Sequence, residues 1–93
     1  MEAKIITYSA NHLSIAQQNQ LRKKLNGHND RSHGGRYKYR RRGLLDQIRH
    51  IKPNRSTIIA PKKEAEDIIQ LLRQFQAKIE SYNIQIARTE FSK

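Results

Sequence analysis

Cysteine is absent from this chain, proline occurs only twice, and no uninterrupted apolar run is longer than a few residues. Without cysteine the protein can form neither a disulfide nor a zinc site built on thiolates. The short apolar runs predict no membrane-spanning helix and no secretory signal, so we expect a cytoplasmic protein with no membrane partner. A length of 93 residues predicts one domain, residues 1–93, with a single modest core.

Acidic residues are also scarce, since 8 Asp and Glu oppose 19 Lys and Arg and leave a net charge of +11. The imbalance is concentrated in residues 21–55, which hold twelve of the basic residues but only two acids, Asp30 and Asp46. Evenly spread charge would only promote solubility, whereas charge concentrated in one segment indicates a polyanionic partner. Arginine outnumbers lysine in this segment, and its planar guanidinium suits phosphate oxygens and base edges.

The first part of the chain predicts a strand followed by a helix. Residues 5–8 are β-branched and aromatic, which indicates a strand. Ser14, followed three residues later by Gln17, is typical of a helix N-terminus with a capping box. The helix is expected to run to about Leu25, because Gly27 is a favoured residue just beyond a helix end. Its apolar positions are Ile15, Ala16, Leu21 and Leu25.

The basic middle of the chain predicts a loop, a strand and a short helix. Residues 27–35 have no periodicity and are small, polar or histidine, so they predict a mobile basic loop. In residues 36–42 tyrosine alternates with arginine and lysine, which predicts a strand. Leucine and isoleucine recur at helical spacing in residues 44–52, which predicts a short helix ended by Pro53, with a continuing strand as the alternative.

The last third predicts a strand, a long helix and a final strand. Residues 57–59 form a short apolar run, and Pro61 is expected at the first helical position, where its missing N–H costs nothing. The helix is expected to continue to Ser81, and residues 84–88 alternate as a strand does. The apolar face of the helix comprises Ala65, Ile68, Ile69, Leu72, Phe75 and Ile79.

The order of these elements predicts an α+β fold in one compact domain. Strand, helix, strand, short helix, strand, helix and strand follow one another, which favours one sheet with helices packed on it. The simplest arrangement is a ferredoxin-like split β-α-β sandwich with both long helices on one face of the sheet. The other face would be open or would be covered by a second copy of the chain, so a homodimer is one expectation.

The basic strand and its neighbours are the candidate binding surface. Lys and Arg side chains that neutralise phosphates release counterions, and this release drives binding to nucleic acid. Phosphate contact is expected from the end of the first helix, the loop, the strand and the segment that follows it. The candidate residues are Arg22, Lys23, Lys24, Arg31, Arg36, Tyr37, Lys38, Tyr39, Arg40, Arg41, Arg42, Arg49, Lys52 and Arg55.

Tyr37 and Tyr39 allow two interpretations. On a strand they would share one face, while the other face would carry Arg36, Lys38, Arg40 and Arg42. The tyrosines could stack on unpaired bases, at roughly 1–3 kcal/mol for each base. We favour the alternative, in which both rings pack beneath a helix, because a strand in a sheet covered by helices needs an apolar face.

His28 and His33 in the predicted loop raise the question of catalysis. Their spacing does not indicate a metal site, and too few carboxylates lie nearby for a metal-dependent nuclease. A histidine that takes the 2′-hydroxyl proton of RNA would make a metal-independent ribonuclease, which stays open as an alternative. Asp46 is interpreted as an ion-pair partner of Arg42 or Arg49.

The sequence therefore predicts a non-catalytic nucleic-acid-binding protein with no cofactor. RNA is slightly favoured over DNA, because the rings suit exposed bases and no helix suited to groove reading is evident. The alternatives are the ribonuclease and a basic module that docks on an acidic protein surface as an inhibitor or regulator.

Overall fold

The computed structural model describes residues 1–32, 34, 37–87 and 91, and it describes only the backbone of residues 31, 32 and 37. Within these residues the chain forms six strands, two α-helices and one 3₁₀ turn. The elements are β1 (Glu2–Ser9), α1 (Ile15–Asn26), β2 (His28–Ser32), β3 (Tyr37–Arg41), the 3₁₀ turn (Leu44–Gln47), β4 (Ile51–Asn54), β5 (Thr57–Pro61), α2 (Lys62–Gln74) and β6 (Lys78–Gln85).

Four of the strands form one antiparallel sheet in the order β4-β5-β1-β6. The long strand β1 is central and pairs with β5 on one side and with β6 on the other. Helix α2 contacts β1, β5 and β6, and α1 contacts α2. The prediction of a compact α+β domain is therefore confirmed.

The core lies between this sheet and the helices. Ile6 of β1 lies opposite Ile58 of β5, and both side chains are fully buried. Leu21 and Leu25 of α1 join the same cluster. The apolar face of α2 completes the cluster with Ala65, Ile68, Ile69 and Leu72. Full burial of one isoleucine or leucine side chain contributes about 1.5–3 kcal/mol, so this cluster is the main source of stability.

Helix α1 begins as the sequence predicts. The Ser14 hydroxyl accepts a hydrogen bond from the Gln17 N–H at 3.1 Å, and the Gln17 side chain accepts one from the Ser14 N–H at 3.1 Å. The helix ends at Asn26, and the Gly27 N–H donates to the Lys23 carbonyl. Its apolar face is narrower than expected, because Ile15 is 73% exposed.

Two predictions for the middle of the chain are wrong. Residues 28–32 lie in a strand rather than a loop, because they pair with β3 and their backbone groups find partners there. Residues 44–52 do not form a helix, because the 3₁₀ turn ends at Gln47 and β4 begins at Ile51. Ile51 pairs with Ile59 of β5, and Pro53 is tolerated because β4 is an edge strand.

Helix α2 is shorter than the periodicity predicts, and it starts after Pro61 rather than at it. It ends at Gln74 because Gln76 adopts a left-handed backbone with φ of 59°. The Ala77 N–H donates to the Leu72 carbonyl at 3.0 Å and the Gln76 N–H to the Arg73 carbonyl at 2.9 Å, which is the Schellman pattern. Glycine usually takes this position, so glutamine hides the helix end in the sequence.

The final strand also differs from the prediction. β6 spans Lys78–Gln85 and pairs with the whole of β1, so it begins six residues before the predicted start. The last predicted strand residue, Arg88, lies outside the described residues.

Candidate nucleic-acid interface

The basic strand belongs to a hairpin that is separate from the main sheet. Among the described residues, β2 and β3 pair only with each other, from His28 opposite Arg41 to Ser32 opposite Tyr37. No described residue of this hairpin belongs to the apolar core. The hairpin is therefore an appendage of the domain, inserted between α1 and the 3₁₀ turn.

An ion pair holds the base of the hairpin to the domain. Arg40 Nη2 donates to the Asn26 carbonyl at 2.6 Å and to the two Asp46 carboxylate oxygens at 3.0 and 3.3 Å. The Gly43 N–H donates to Asp46 Oδ2 at 2.8 Å. The Gly43 N–H first, and then Arg40, lower the pKa of Asp46 below its usual value. Arg40 rather than Arg49 is thus the ion-pair partner of Asp46, and the charge of Arg42, the other expected partner, also lowers the pKa of Asp46.

Two glycines let the chain ends of the hairpin come together. Gly27 has a φ of 75°, and a Cβ there would lie 2.5 Å from the Arg41 carbonyl oxygen and 2.7 Å from the Gly43 nitrogen. A Cβ on Gly43 would in turn meet the backbone of Gly27 and Asn26. Any larger residue at either position would push the hairpin away from α1.

One face of the hairpin, the Tyr39 face, comprises His28, Asp30, Tyr39 and Arg41, as the strand register requires. The guanidinium of Arg41 lies over the Tyr39 ring, 4.8 Å from its centroid, and Arg41 Nε donates to Asp30 Oδ2 at 3.2 Å. The hydrogen bond to Asp30, and then Tyr39, raise the pKa of Arg41. Tyr39 is 42% exposed, so the favoured interpretation that its ring is core is wrong. The ring is exposed because no described residue of the hairpin packs into the core beneath the helices.

The opposite face, the Lys38 face, comprises Asn29, Lys38 and Arg40. It carries no acidic residue, and a shallow depression of about 350 Å³ lies among these three residues and Tyr39. In the register of the backbone, Arg31 lies opposite Lys38. Lys38 is exposed and has no carboxylate partner in the described part of the chain.

The end of α1 adds exposed cations beside the hairpin base. Lys24 and Arg42 line one groove of about 500 Å³, whose walls come from the 3₁₀ turn and α2. Lys24 also lies over the Phe75 ring, 5.9 Å from its centroid. Lys23 is exposed, and Arg22 donates a hydrogen bond to Asn19 at 2.8 Å. The structure thus brings the helix end and the hairpin base together.

Three further candidates have other contacts. Arg49 pairs with Glu64 at 3.4 Å. Lys52 is partly buried, donates to Asn26 Oδ1 at 2.8 Å, and has a pKa lowered by that burial. Arg55 lies in the turn between β4 and β5, where its carbonyl accepts a hydrogen bond from the Tyr8 hydroxyl. That turn is at the opposite end of β4 from Lys52, so Arg55 is separated from the hairpin.

Some predicted residues cannot be placed in the site. Arg36 and His33 lie outside the described residues, and the side chains of Arg31 and Tyr37 are not described. His28 lies in β2, and its buried Nδ1 has no hydrogen-bond partner among the described residues. Within residues 1–32, 34, 37–87 and 91, no three His, Asp or Glu side chains are grouped as metal ligands.

Sequence reasoning missed two asparagines. Asn26 holds both Arg40 and Lys52, and Asn29 lies on the Lys38 face. Asn26 carries no recognisable signal, because its partners are distant in sequence. Asn29 would have been found if the five residues after Gly27 had been recognised as a strand, since alternation then pairs it with Arg40.

Comparison of the chain with protein-family models, with curated proteins and with solved structures finds no match. None of the helices in the described residues has the length and apolar character needed to cross a membrane. The interface must therefore be interpreted from its own geometry and charge.

Proposed function

We propose that this protein binds nucleic acid, mainly through phosphate contacts, and that it does so without catalysis. One observation carries the proposal: an exposed group of cations has no carboxylate partner among the described residues and lies around the hairpin and its base. This group, the unpaired cation set, comprises Lys23, Lys24 and Lys38. Unpaired cations clustered on one surface favour a polyanionic ligand.

The remainder of the domain carries balanced charge, which supports this surface as the site. Lys4 pairs with Glu66 at 3.2 Å, and Lys62 lies 3.7 Å from Glu2. Acids of the main sheet and α2 thus form ion pairs with basic residues near them, whereas no member of the unpaired cation set forms an ion pair with a described carboxylate. The positive potential should therefore be strongest at the hairpin and at the end of α1.

The arrangement of the main sheet supports a ferredoxin-like fold. With the hairpin and the 3₁₀ turn set aside, the chain runs β1, α1, β4, β5, α2 and β6, which is the split β-α-β element order. The sheet order β4-β5-β1-β6, with every neighbour antiparallel, is the order we expect for that fold. The hairpin would then be an insertion after α1 that carries the binding function.

A salt series tests the proposal. Fluorescence anisotropy with labelled single-stranded RNA, duplex RNA and duplex DNA should give affinities that fall steeply with salt, with a slope of about −0.9 per phosphate contact on duplex DNA. Lys23→Gln should reduce the slope by about one. Lys78→Gln is the matched control, because Lys78 is exposed and pairs with Ser9 at the far end of β1. A salt-independent response, or no binding near physiological ionic strength, contradicts the proposal.

The two alternative functions have distinct outcomes. RNA that is degraded in the presence of a chelator would favour the metal-independent ribonuclease. An acidic protein partner predicts that nucleic acid competes poorly for the surface. A cytoplasmic location stays a prediction, as does self-association.

A further inference from the structure

We propose that the ligand is duplex DNA and that the β2–β3 hairpin enters its major groove with the Lys38 face towards the base edges. This inference rests on the proposed function and names the class of nucleic acid. It replaces the preference for RNA that the sequence suggested, because the basic strand lies in a separate two-stranded ribbon rather than in a sheet covered by helices.

The dimensions of the hairpin suit that groove. A two-stranded β-ribbon fits the major groove of B-DNA, which is about 12 Å wide, but not the minor groove, which is about 6 Å wide. Each strand has five residues. Five residues extend about 17 Å, which spans about five base pairs at 3.4 Å per pair.

The chemistry of the two faces selects the Lys38 face. Asn29 and Lys38 present an amide and an ammonium, the groups that pair with the major-groove edges of adenine and guanine. No acidic residue of β2 or β3 lies on this face, and the Asp46 carboxylate pairs with Arg40 at the hairpin base rather than with Lys38. On the Tyr39 face, by contrast, Asp30 already holds Arg41 at 3.2 Å.

Cations at the hairpin base can contact the phosphates beside the groove. Lys24 and Arg42 line one groove at the point where the hairpin joins the domain, and Lys23 lies in the same last turn of α1. A hairpin inserted between the two sugar–phosphate backbones would bring its base close to phosphates. Arg40 would anchor the hairpin through Asn26 and Asp46 and so fix its angle to the domain.

RNA suits this arrangement less well. The major groove of A-form RNA is too narrow and deep for side chains to read, and RNA is recognised largely by stacking on unpaired bases. Such stacking would need an open ring, but the guanidinium of Arg41 already lies over the Tyr39 ring. Tyr39 is also the one described ring that borders the depression on the Lys38 face.

Blocking each groove in turn tests the inference with the full chain. The probes are a duplex DNA, the same duplex with glucosylated 5-hydroxymethylcytosine in place of cytosine, and the plain duplex with netropsin in its minor groove. We expect the bulky sugar in the major groove to weaken binding about tenfold or more, the equivalent of losing at least one base-pair contact. Netropsin should leave affinity within about twofold, and single strands and duplex RNA should bind more weakly at equal salt.

Two asparagine variants test the assignment of the face. Asn29→Ala should reduce discrimination between duplexes of different sequence and leave the salt slope unchanged, since an amide carries no charge. Asn83→Ala is the matched control, because Asn83 is an exposed strand residue on β6. Circular dichroism of both variants should match the parent protein, because both side chains are exposed.

The results separate this inference from the proposed function. Salt-dependent binding that is indifferent to the glucosyl group, competes with netropsin, or favours single strands overturns the major-groove inference and leaves nucleic-acid binding in place. An Asn29→Ala variant that discriminates sequences as the parent does overturns the choice of face. Failure to bind any of the probes overturns both proposals.

Discussion

The ion pair between Arg40 and Asp46 shows that some cations of the basic segment are bound to other residues of the protein, while others are open to a ligand. Arg40 is not open to a ligand, because its guanidinium is bound to the Asn26 carbonyl and the Asp46 carboxylate at the hairpin base. Lys38, two residues earlier on the same face, has no such partner among the described residues. At the scale of the residue, ion pairs and hydrogen bonds decide which cations remain for a ligand.

Asp46 should make the stability of the hairpin base depend on pH. Its pKa is lower in the folded protein than the unfolded value of about 3.9, so its contribution is present above that value and is lost as pH falls through the lowered pKa. Carbon-13 NMR should find that the Asp46 carboxyl titrates below about pH 3.9.

Asp46→Asn provides the control for this titration. The difference in urea midpoint between the parent and this variant should shrink as the parent is acidified. A carboxyl that titrates at or above the unfolded value would show that the Gly43 N–H and Arg40 do not stabilise its charge.

Replacing Gln76 with glycine should stabilise the protein, since Gln76 is the one described non-glycine residue with a left-handed backbone. Gln76→Gly should raise stability by about 0.5–1 kcal/mol, which corresponds to a rise in Tm of about 2–8 °C. Thermal denaturation followed by circular dichroism measures the change. The matched control is Gln74→Gly, inside the last turn of α2, which should destabilise by a similar amount. If both variants lose stability equally, the assignment of a left-handed backbone to Gln76 is wrong.

The hairpin and the main sheet are separate elements, so binding and folding should be separable. The buried core draws on β1, α1, the 3₁₀ turn, β5 and α2, and it includes no described residue between 28 and 42. Gly27 and Gly43 already approach each other at the hairpin base, so a short linker can connect them. The hairpin then resembles a binding loop carried on a rigid scaffold.

A variant in which one or two glycines replace residues 28–42 should still unfold cooperatively. Its circular dichroism should retain the signal of the main sheet and helices, while its affinity for nucleic acid should fall at least about tenfold through lost phosphate contacts. If this variant binds nucleic acid as tightly as the parent, the binding site lies on the rest of the domain and not on the hairpin. Loss of cooperative unfolding would mean that the hairpin contributes to the core after all.

Over the whole molecule, the face of the main sheet that is covered by neither helix carries a row of apolar side chains. The strand register aligns Tyr82, Ile5, Ile59 and Ile51 in a row across all four strands. Tyr82 is 59% exposed, and the three isoleucines are partly buried. In a chain of net charge +11, a row without charged side chains is where two copies could meet with least repulsion.

The predicted homodimer should therefore form through this row. Sedimentation velocity should show a dimer that Tyr82→Asp shifts to monomer, because a carboxylate in an apolar interface is costly to desolvate. Asn83→Asp adds the same charge one residue along, on the face that packs towards α2, and should leave the dimer intact. If the protein is monomeric at every concentration, the prediction of a homodimer is wrong.

Local signals explain which elements could be predicted from the sequence. The Ser14 capping box, the apolar face of α2 and the β-branched residues of β1 and β5 each depend on neighbours within a few positions. The end of α2 was missed because Gln76 takes a conformation that glycine usually provides. The 44–52 helix was wrongly predicted because pairing of Ile51 with Ile59, eight residues away, outweighs helical periodicity.

By itself the sequence determined the α+β character of the domain, the composition of α2 and the concentration of positive charge in residues 21–55, since these follow from residue type and short-range periodicity. Only the tertiary structure decided that the basic strand stands apart in a hairpin, that Tyr39 is exposed, and that Arg40 and Lys52 are bonded to Asn26. Those outcomes depend on which distant strands and side chains pair. The pairing that forms is the most stable of many alternatives along the chain, so it cannot be predicted from a local pattern of residues.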